Sequence, residues 1–274
     1  MSEPSLLYLV ATLTPFDSRG RVDLARLRAH VLWLSAKGVD GFVPTGTTGE
    51  FLYLSERERE AVHRTVIDAA RSKHIYPCTW DPNPATAAYL SDAAREQGAT
   101  GVLMPPPLFY RLNDGEVLGW FRQIHEAVRL PILAYHNPAY IPSHVSPAVY
   151  QQLRAEGVVA GMKDSSGDPY RVRRLSELHP GTIFAGGDRI LGEAARMKKL
   201  AGFISAIGNV WPSFCLRVFR GESQLQDALS DRVSELMHAG GVRAMKGILG
   251  MGCRSPLLAP SRERLLSLPA AERP

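Results

Sequence analysis

The residue whose placement most invites chemistry is Lys163. It closes the run Val158-Val159-Ala160-Gly161-Met162, after which Asp164-Ser165-Ser166-Gly167-Asp168 turns sharply polar. A short apolar run without alternation suits a strand buried on both faces, as in a parallel sheet. Burial at the end of such a strand opposes the charged ammonium, because desolvation penalises the ion. The neutral amine is a nucleophile toward a carbonyl carbon. The alternative is a lysine that snorkels to water or pairs with Asp164. The chain has six lysines, and Lys37, Lys73, Lys198, Lys199 and Lys246 sit in or at the ends of helix-like polar segments. Lys163 alone closes an apolar strand.

Two other stretches carry groups that such an amine needs. In Gly46-Thr47-Thr48-Gly49-Glu50 the glycines let successive backbone N–H groups line a concave anion site, and two hydroxyls add donors. A carboxylate fits such a site, although the same five residues can also form a plain tight turn. No Gly-Lys-Ser/Thr follows, which excludes a Walker-type phosphate loop. Tyr135 ends an apolar strand ahead of His136-Asn137-Pro138, and its hydroxyl can both donate and accept a proton beside an iminium nitrogen. Its alternative is a core tyrosine that caps the strand end. His136 is expected to be a structural hydrogen-bonder, because no second histidine lies at ligand spacing. His63, His74, His125 and His144 are expected on helix or loop surfaces.

These groups must be positioned by strands. Leu6 to Thr12 is a first strand, and Asp23 caps a helix carrying Leu24, Leu27, Val31 and Leu34. Gly38 ends that helix ahead of a strand at 41–44. Ser55 and Glu58 form a capping-box signature for a helix running to about Arg71. Strands follow at 75–79, 100–104 and 131–135, then the lysine strand, then 182–185 and 202–205. Helices are expected at 85–97, 115–128, 146–155, 169–178 and 190–199. Pro77 counts against a long third strand. Eight strand–helix units at a spacing of roughly 25–30 residues point to an α/β fold, a (β/α)8 barrel rather than an open doubly wound sheet. The barrel is expected over residues 1–210. Residues 211–274 would be a C-terminal helical extension packed on it, helical at 225–237 and 242–249, making one domain overall. Catalytic groups of a barrel come from the carboxyl ends of its strands, so Thr47, Thr48, Tyr135, Lys163, Gly187 and Ser205 should face one mouth.

Composition narrows the function classes. Of 274 residues, 45% are hydrophobic and 22% charged, which is ordinary for a globular protein with a sizeable core. The net charge of +5 is spread along the chain with no basic run, which argues against nucleic acid as a partner. No window of about 18 uninterrupted apolar residues exists, so no membrane span is expected. The first residues lack a basic region followed by an apolar stretch, and the three cysteines, Cys78, Cys215 and Cys253, lie far apart. Both features fit a reducing cytoplasm without structural zinc.

Taken together, Gly46-Thr-Thr-Gly-Glu50, Tyr135 and Gly161-Met-Lys-Asp164 resemble the dihydrodipicolinate synthase/N-acetylneuraminate lyase family of class I pyruvate-dependent aldolases. Thr14-Pro-Phe16, Gly186-Gly-Asp188 and Gly202-Phe-Ile-Ser205 before Asn209 extend the likeness over residues 6 to about 260. The resemblance implies a barrel enzyme whose Lys163 forms a Schiff base with the keto carbon of pyruvate. Tyr135 would donate and accept the proton, Thr47 would join its relay, and Thr48 would hold the carboxylate. The backbone at Gly187 and Ile204 would line the pocket. The iminium is itself the electron sink, so no metal and no organic cofactor is implied. The partners implied are a 2-keto acid and an aldehyde, in a homo-oligomer, dimer or tetramer.

Two positions depart from the family pattern. The synthase branch has an arginine five residues after the tyrosine, and here Tyr140 stands there, unable to form a bidentate ion pair. The relay tyrosine lent by a neighbouring subunit falls in Leu108-Phe109-Tyr110, where the alignment gives Phe109, and Tyr110 fills the role only with a one-residue shift. The reading is therefore a lyase or aldolase acting on pyruvate or a 2-keto acid, such as a 2-keto-3-deoxy sugar acid. The alternatives are 4-hydroxy-tetrahydrodipicolinate (dihydrodipicolinate) synthase, a Schiff-base hydro-lyase, and a non-catalytic keto-acid-binding relative.

Overall fold

The structure, a computed structural model, describes residues 6–71 and 73–272. Strands and helices alternate: β1 (Leu7–Val10), α1 (Leu24–Ala36), β2 (Gly41–Phe42), α2 (Glu56–Ala69), β3 (His74–Ile75), α3 (Pro84–Gln97), β4 (Val102–Met104) and α4 (Asp114–Ala127). The second half continues with β5 (Ile132–His136), α5 (Pro147–Ala155), β6 (Gly161–Asp164), α6 (Pro169–Leu178), β7 (Ile183–Gly186), α7 (Leu191–Ala194) and β8 (Gly202–Ser205). The helices α8 (Pro212–Phe219), α9 (Gln226–His238), α10 (Val242–Ile248) and α11 (Arg262–Leu266) complete the chain.

The eight strands are parallel and ordered β3-β2-β1-β8-β7-β6-β5-β4. β1 pairs with β8 from Leu7↔Gly202 to Val10↔Ser205. The two ends of the sheet meet through a parallel bridge between Cys78 and Leu103, with the Leu103 N–H donating to the Pro77 carbonyl at 2.8 Å. This is the (β/α)8 barrel expected from the strand–helix rhythm. The third strand is only two residues long, as the missing N–H of Pro77 foreshadowed.

Local signals set most boundaries. The Asp23 carboxylate accepts from the Arg26 N–H, and Gly38 follows the helix at φ +95°, a backbone conformation that glycine adopts without strain. Ser55 and Glu58 form the reciprocal capping box, and Asn113 with Glu116 forms another. One expected helix is cut short: 190–199 holds only α7, followed by i→i+3 bonds from Arg196 to Glu193 and from Met197 to Ala194. Its Gly192 N–H is taken by the Gln226 side chain at 2.6 Å, so tertiary contact with α9 sets the path there. No helix among the described residues is long and apolar enough to cross a membrane.

The C-terminal helices are bound to the barrel mouth by specific bonds. The Lys246 ammonium on α10 meets Glu50 at 2.7 Å and Arg254 pairs with Glu58, while within the C-terminal segment the Trp211 indole N–H donates to the Ala270 carbonyl at 2.8 Å. Asn209 joins the first and last barrel units: its amide donates to the Ala11 carbonyl at 2.7 Å and accepts from the Leu13 N–H at 3.2 Å.

Candidate active site

β6 delivers Lys163 in register with Tyr135 on β5 and Phe184 on β7. The lysine is buried, 7% exposed, and its Nζ lies 4.5 Å from the centre of the Tyr135 ring. That contact sets the amine nitrogen over the electron-rich ring face. Among the described residues no carboxylate lies within ion-pair distance of Lys163. Asp164, the alternative partner for the lysine, instead binds Arg171 at 2.7 Å and the Ser166 hydroxyl at 2.6 Å.

Tyr135 is itself buried, and its hydroxyl lies 3.4 Å from Thr47 Oγ1. The Asn137 amide donates to the same phenol oxygen at 2.7 Å. Thr48 is buried beside Thr47 in the loop after β2. A buried amine, a phenol and the Thr47 hydroxyl thus converge at the carboxyl ends of strands, with Thr48 next along the same loop. A small carbonyl compound with an anionic end fits such a set, the amine attacking carbon while the phenol moves protons.

A family model described as the dihydrodipicolinate synthetase family matches residues 6–248. The chain belongs to this family. A 4-hydroxy-tetrahydrodipicolinate synthase of Rhodospirillum centenum is 29% identical over 270 residues, covering 93% of this chain and 92% of the relative. A dihydrodipicolinate synthase structure from Bacillus anthracis is 22% identical with a TM-score of 0.88, covering 97% of each chain. An N-acetylneuraminate lyase structure from Mycoplasma synoviae is 24% identical with a TM-score of 0.84, covering 94% of this chain and 93% of the other. At these identities the structural likeness speaks to the fold, which a synthase and a lyase of the dihydrodipicolinate synthetase family share.

Within this family framework, the Gly-Thr-Thr-Gly loop is built differently from the glycine-based expectation. The left-handed conformations fall on Thr45 (φ +53°) and Glu50 (φ +58°), the residues flanking it. For a β-branched threonine this costs about 1–3 kcal/mol, stored at the site. Gly49 is needed for close approach, since a Cβ there would lie 2.8 Å from the Thr45 nitrogen. Three contacts hold the strained loop. Thr45 Oγ1 sits 2.6 Å from His63 Nε2, the Thr14 hydroxyl donates to the Gly49 carbonyl at 2.8 Å, and Glu50 takes the Lys246 ammonium.

Two expectations are corrected by this support. His63 is not a surface histidine but fully buried on α2, and burial pushes its imidazole down to about 3, with the charge of Arg59 adding to the effect. Lys246 is not a polar helix-surface lysine: it is fully buried, with its Nζ 4.1 Å from the centre of the Phe16 ring. Desolvation lowers its pKa, opposed by the Glu50 hydrogen bond and charge.

On the far side of the lysine, Asp188 accepts from the Ser205 hydroxyl and from the N–H groups of Ala206, 3.1 Å, and Ile207, 3.3 Å. Burial raises this carboxyl above its ordinary range, while those bonds and the charge of Lys163 act in the opposite direction. Gly187 is exposed at φ +88° and Ile204 is buried on β8. His136 accepts from the Val145 N–H at 3.3 Å, and burial pushes its imidazole down to about 4, in keeping with a structural role. Tyr110 (74% exposed) and Tyr140 (62% exposed) lie on the surface of the chain, and Phe109 packs edge-on against Tyr110. Neither tyrosine belongs to the buried set around Lys163. Among the described residues no cluster of three His, Cys, Asp or Glu side chains is arranged to hold a metal ion.

Proposed function

We propose that this family member is a class I lyase that condenses Lys163 with pyruvate or another 2-keto acid and makes or breaks a carbon–carbon bond to an aldehyde. The observation that carries the reading is the Lys163 amine, buried beside the Tyr135 ring at 4.5 Å with no carboxylate in ion-pair reach among the described residues. In this reading Lys163 attacks the keto carbon, Tyr135 shuttles protons with Thr47, and Thr48 holds the carboxylate. Gly187 and Ile204 line the pocket, and the iminium draws electrons from the adjacent bond. Tyr140 is uncharged and exposed, so it brings no guanidinium to a second carboxylate. That favours a 2-keto-3-deoxy sugar acid over aspartate semialdehyde, the partner in the alternative synthase reaction.

The same proposal takes the C-terminal helices as part of one folding unit with the barrel, supported by the Lys246–Glu50 and Arg254–Glu58 pairs. It places the enzyme in the cytoplasm as a homo-oligomer, with Tyr110 as the residue one copy would lend another. All three cysteines are free, which fits a reducing compartment. Incubation with pyruvate and borohydride followed by peptide mass analysis tests the chemistry. A reduced pyruvyl group on Lys163 is expected, and an unmodified lysine rejects the proposal. A screen of aldehydes against pyruvate, with aspartate semialdehyde as one arm, separates the aldolase from the synthase.

A further inference from the structure

Asn137 contacts the proton-carrying phenol, and neither the sequence pattern nor the family resemblance gives it a role. Its amide nitrogen is 2.7 Å from Tyr135 Oη, the closer of the two polar contacts to that oxygen, with Thr47 Oγ1 at 3.4 Å. Both side chains are buried, Asn137 at 6% exposure and Tyr135 at 4%. The asparagine is held from its own backbone, because its carbonyl accepts the Tyr140 N–H at 3.2 Å and the Ile141 N–H at 2.9 Å. Pro138 fixes the turn that follows.

An amide N–H can only donate. A phenol oxygen that accepts this bond keeps its one proton free to point elsewhere, toward Thr47 or a bound reactant. The same donor strengthens when the phenol gives that proton up, because a hydrogen bond to an anion is worth more than one to a neutral oxygen. The titratable group facing the phenol is Lys163 on β6, which sits over the ring rather than at the hydroxyl. Asp188, in the segment after β7, is the buried carboxyl on which that lysine acts. The loop after β2 contributes a neutral hydroxyl.

We infer that Asn137 is a positioning residue for the proton steps at Tyr135, aiming the phenol proton into the site and holding the phenolate once the proton has left. The inference rests on the Schiff-base reading above. In that cycle the neutral Lys163 amine adds to the keto carbon to give a carbinolamine. The carbinolamine hydroxyl takes the Tyr135 proton and leaves as water, giving the iminium and the phenolate. The phenolate then removes a proton from the methyl group next to the iminium carbon. The C–H electron pair forms the new C=C bond, the C=N pair returns to nitrogen, and an enamine with a restored phenol results. Asn137 stabilises the phenolate between these two transfers and makes no covalent bond.

Pyruvate alone, without an aldehyde, tests this. Two quantities are read on the full-length protein: the borohydride-trapped adduct at Lys163, and exchange of the pyruvate methyl protons for deuterium in D2O across a pH series. Wild type is expected to show both. Asn137→Ala should keep the adduct, slow the exchange near neutrality about tenfold or more, and move the rising limb of its pH profile up by about one unit. Asn137→Asp keeps the shape but replaces the donor by an acceptor, and should move the profile further the same way, which covers the case in which the alanine variant misfolds. Wild-type profiles in both variants overturn the inference and leave the Schiff-base reading standing. Loss of the adduct even after long incubation in a folded Asn137→Asp variant also overturns it, because a slowed proton transfer delays the iminium without abolishing it. A wild type that forms no adduct overturns both.

Discussion

Two lysines are buried at the mouth of this barrel, and their surroundings could hardly differ more. Lys246 is fully buried, and Glu50 meets it at 2.7 Å over the face of Phe16. Lys163 is nearly as dry but lies against the Tyr135 ring, with no carboxylate in ion-pair reach among the described residues. A buried pair fixes geometry, since removing either partner leaves an uncompensated charge. An unpaired buried amine is poor scaffolding and good chemistry. Under the proposed function the two residues do different work: one braces the loop, the other reacts.

The sharpest way to break the comparison is Lys163→Ala. Turnover is expected to fall about 10³-fold or more, with no borohydride adduct, while the unfolding midpoint stays put or rises. If Lys163→Ala instead unfolds the protein while keeping turnover when folded, the roles of the two lysines are reversed.

Lys246→Met should do the opposite. Leaving Glu50 buried and unpaired is expected to cost about 3–5 kcal/mol in denaturant unfolding. Because Glu50 anchors the loop bearing Thr47 and Thr48, the folded fraction should also show a raised KM for the keto acid. The double variant Lys246→Met/Glu50→Gln removes both charges and should recover most of the stability. A single variant as stable as wild type would remove Lys246 from the bracing role.

Much of this was legible in the chain. Lys163 and Tyr135 could be picked out because each sits near the end of an apolar strand, and Thr47 because it lies between two glycines in the loop that follows β2, local signals that the barrel converts into proximity. Asp23, Ser55 and Asn113 act on neighbours within a few residues, so the helix starts they cap follow from local physics. Lys246 was not legible, because its partner lies 196 residues away and Val242-Arg-Ala-Met-Lys-Gly reads as a helix with a wet face. His63 was missed because its burial is set by tertiary packing, with Thr45 Oγ1 of the loop before α2 meeting its ring at 2.6 Å. The left-handed Thr45 could not be expected from a β-branched residue, which normally avoids that conformation.

The histidine under the loop offers a test by acid. His63 is held at about 3 and His30 at about 4, both mainly by burial, against an ordinary value of 6.5. Below pH 6.5 the unfolded chain binds these protons and the folded one does not. Stability is therefore fully present above that pH and declines as pH falls toward 4 and then 3. His63→Gln is expected to reduce the slope of unfolding free energy between pH 6.5 and 4.5 by about 1.4 kcal/mol per pH unit. Glu58, held down at about 2 chiefly by the Arg254 hydrogen bond, acts only below its ordinary value of 4.5, so the range from pH 6.5 to 4.5 is free of its effect. An unchanged slope would mean that His63 is protonated in the folded state.

The smallest effect is expected at the surface counterpart of the buried pair. Arg122 grips Glu156 with two bonds, of 2.9 and 2.6 Å, yet both side chains are open to solvent. Arg122→Ala should leave the unfolding midpoint and activity unchanged, because water and salt replace such a contact. A clear loss of stability there would erase the distinction between buried and exposed pairing on which the two-lysine comparison depends.

The pairing of β1 with β8 has a consequence for how the protein is made. Leu7–Val10 leaves the ribosome early, but its second neighbour, Gly202–Ser205, follows only after almost all of the barrel has been translated. At ordinary elongation speeds that interval is roughly 10 to 40 s. Throughout it the nascent chain carries an open strand edge, and Asn209 cannot yet hold Ala11 and Leu13 in place. Ring closure is thus timed by synthesis, and the first strand emitted is among the last to be secured.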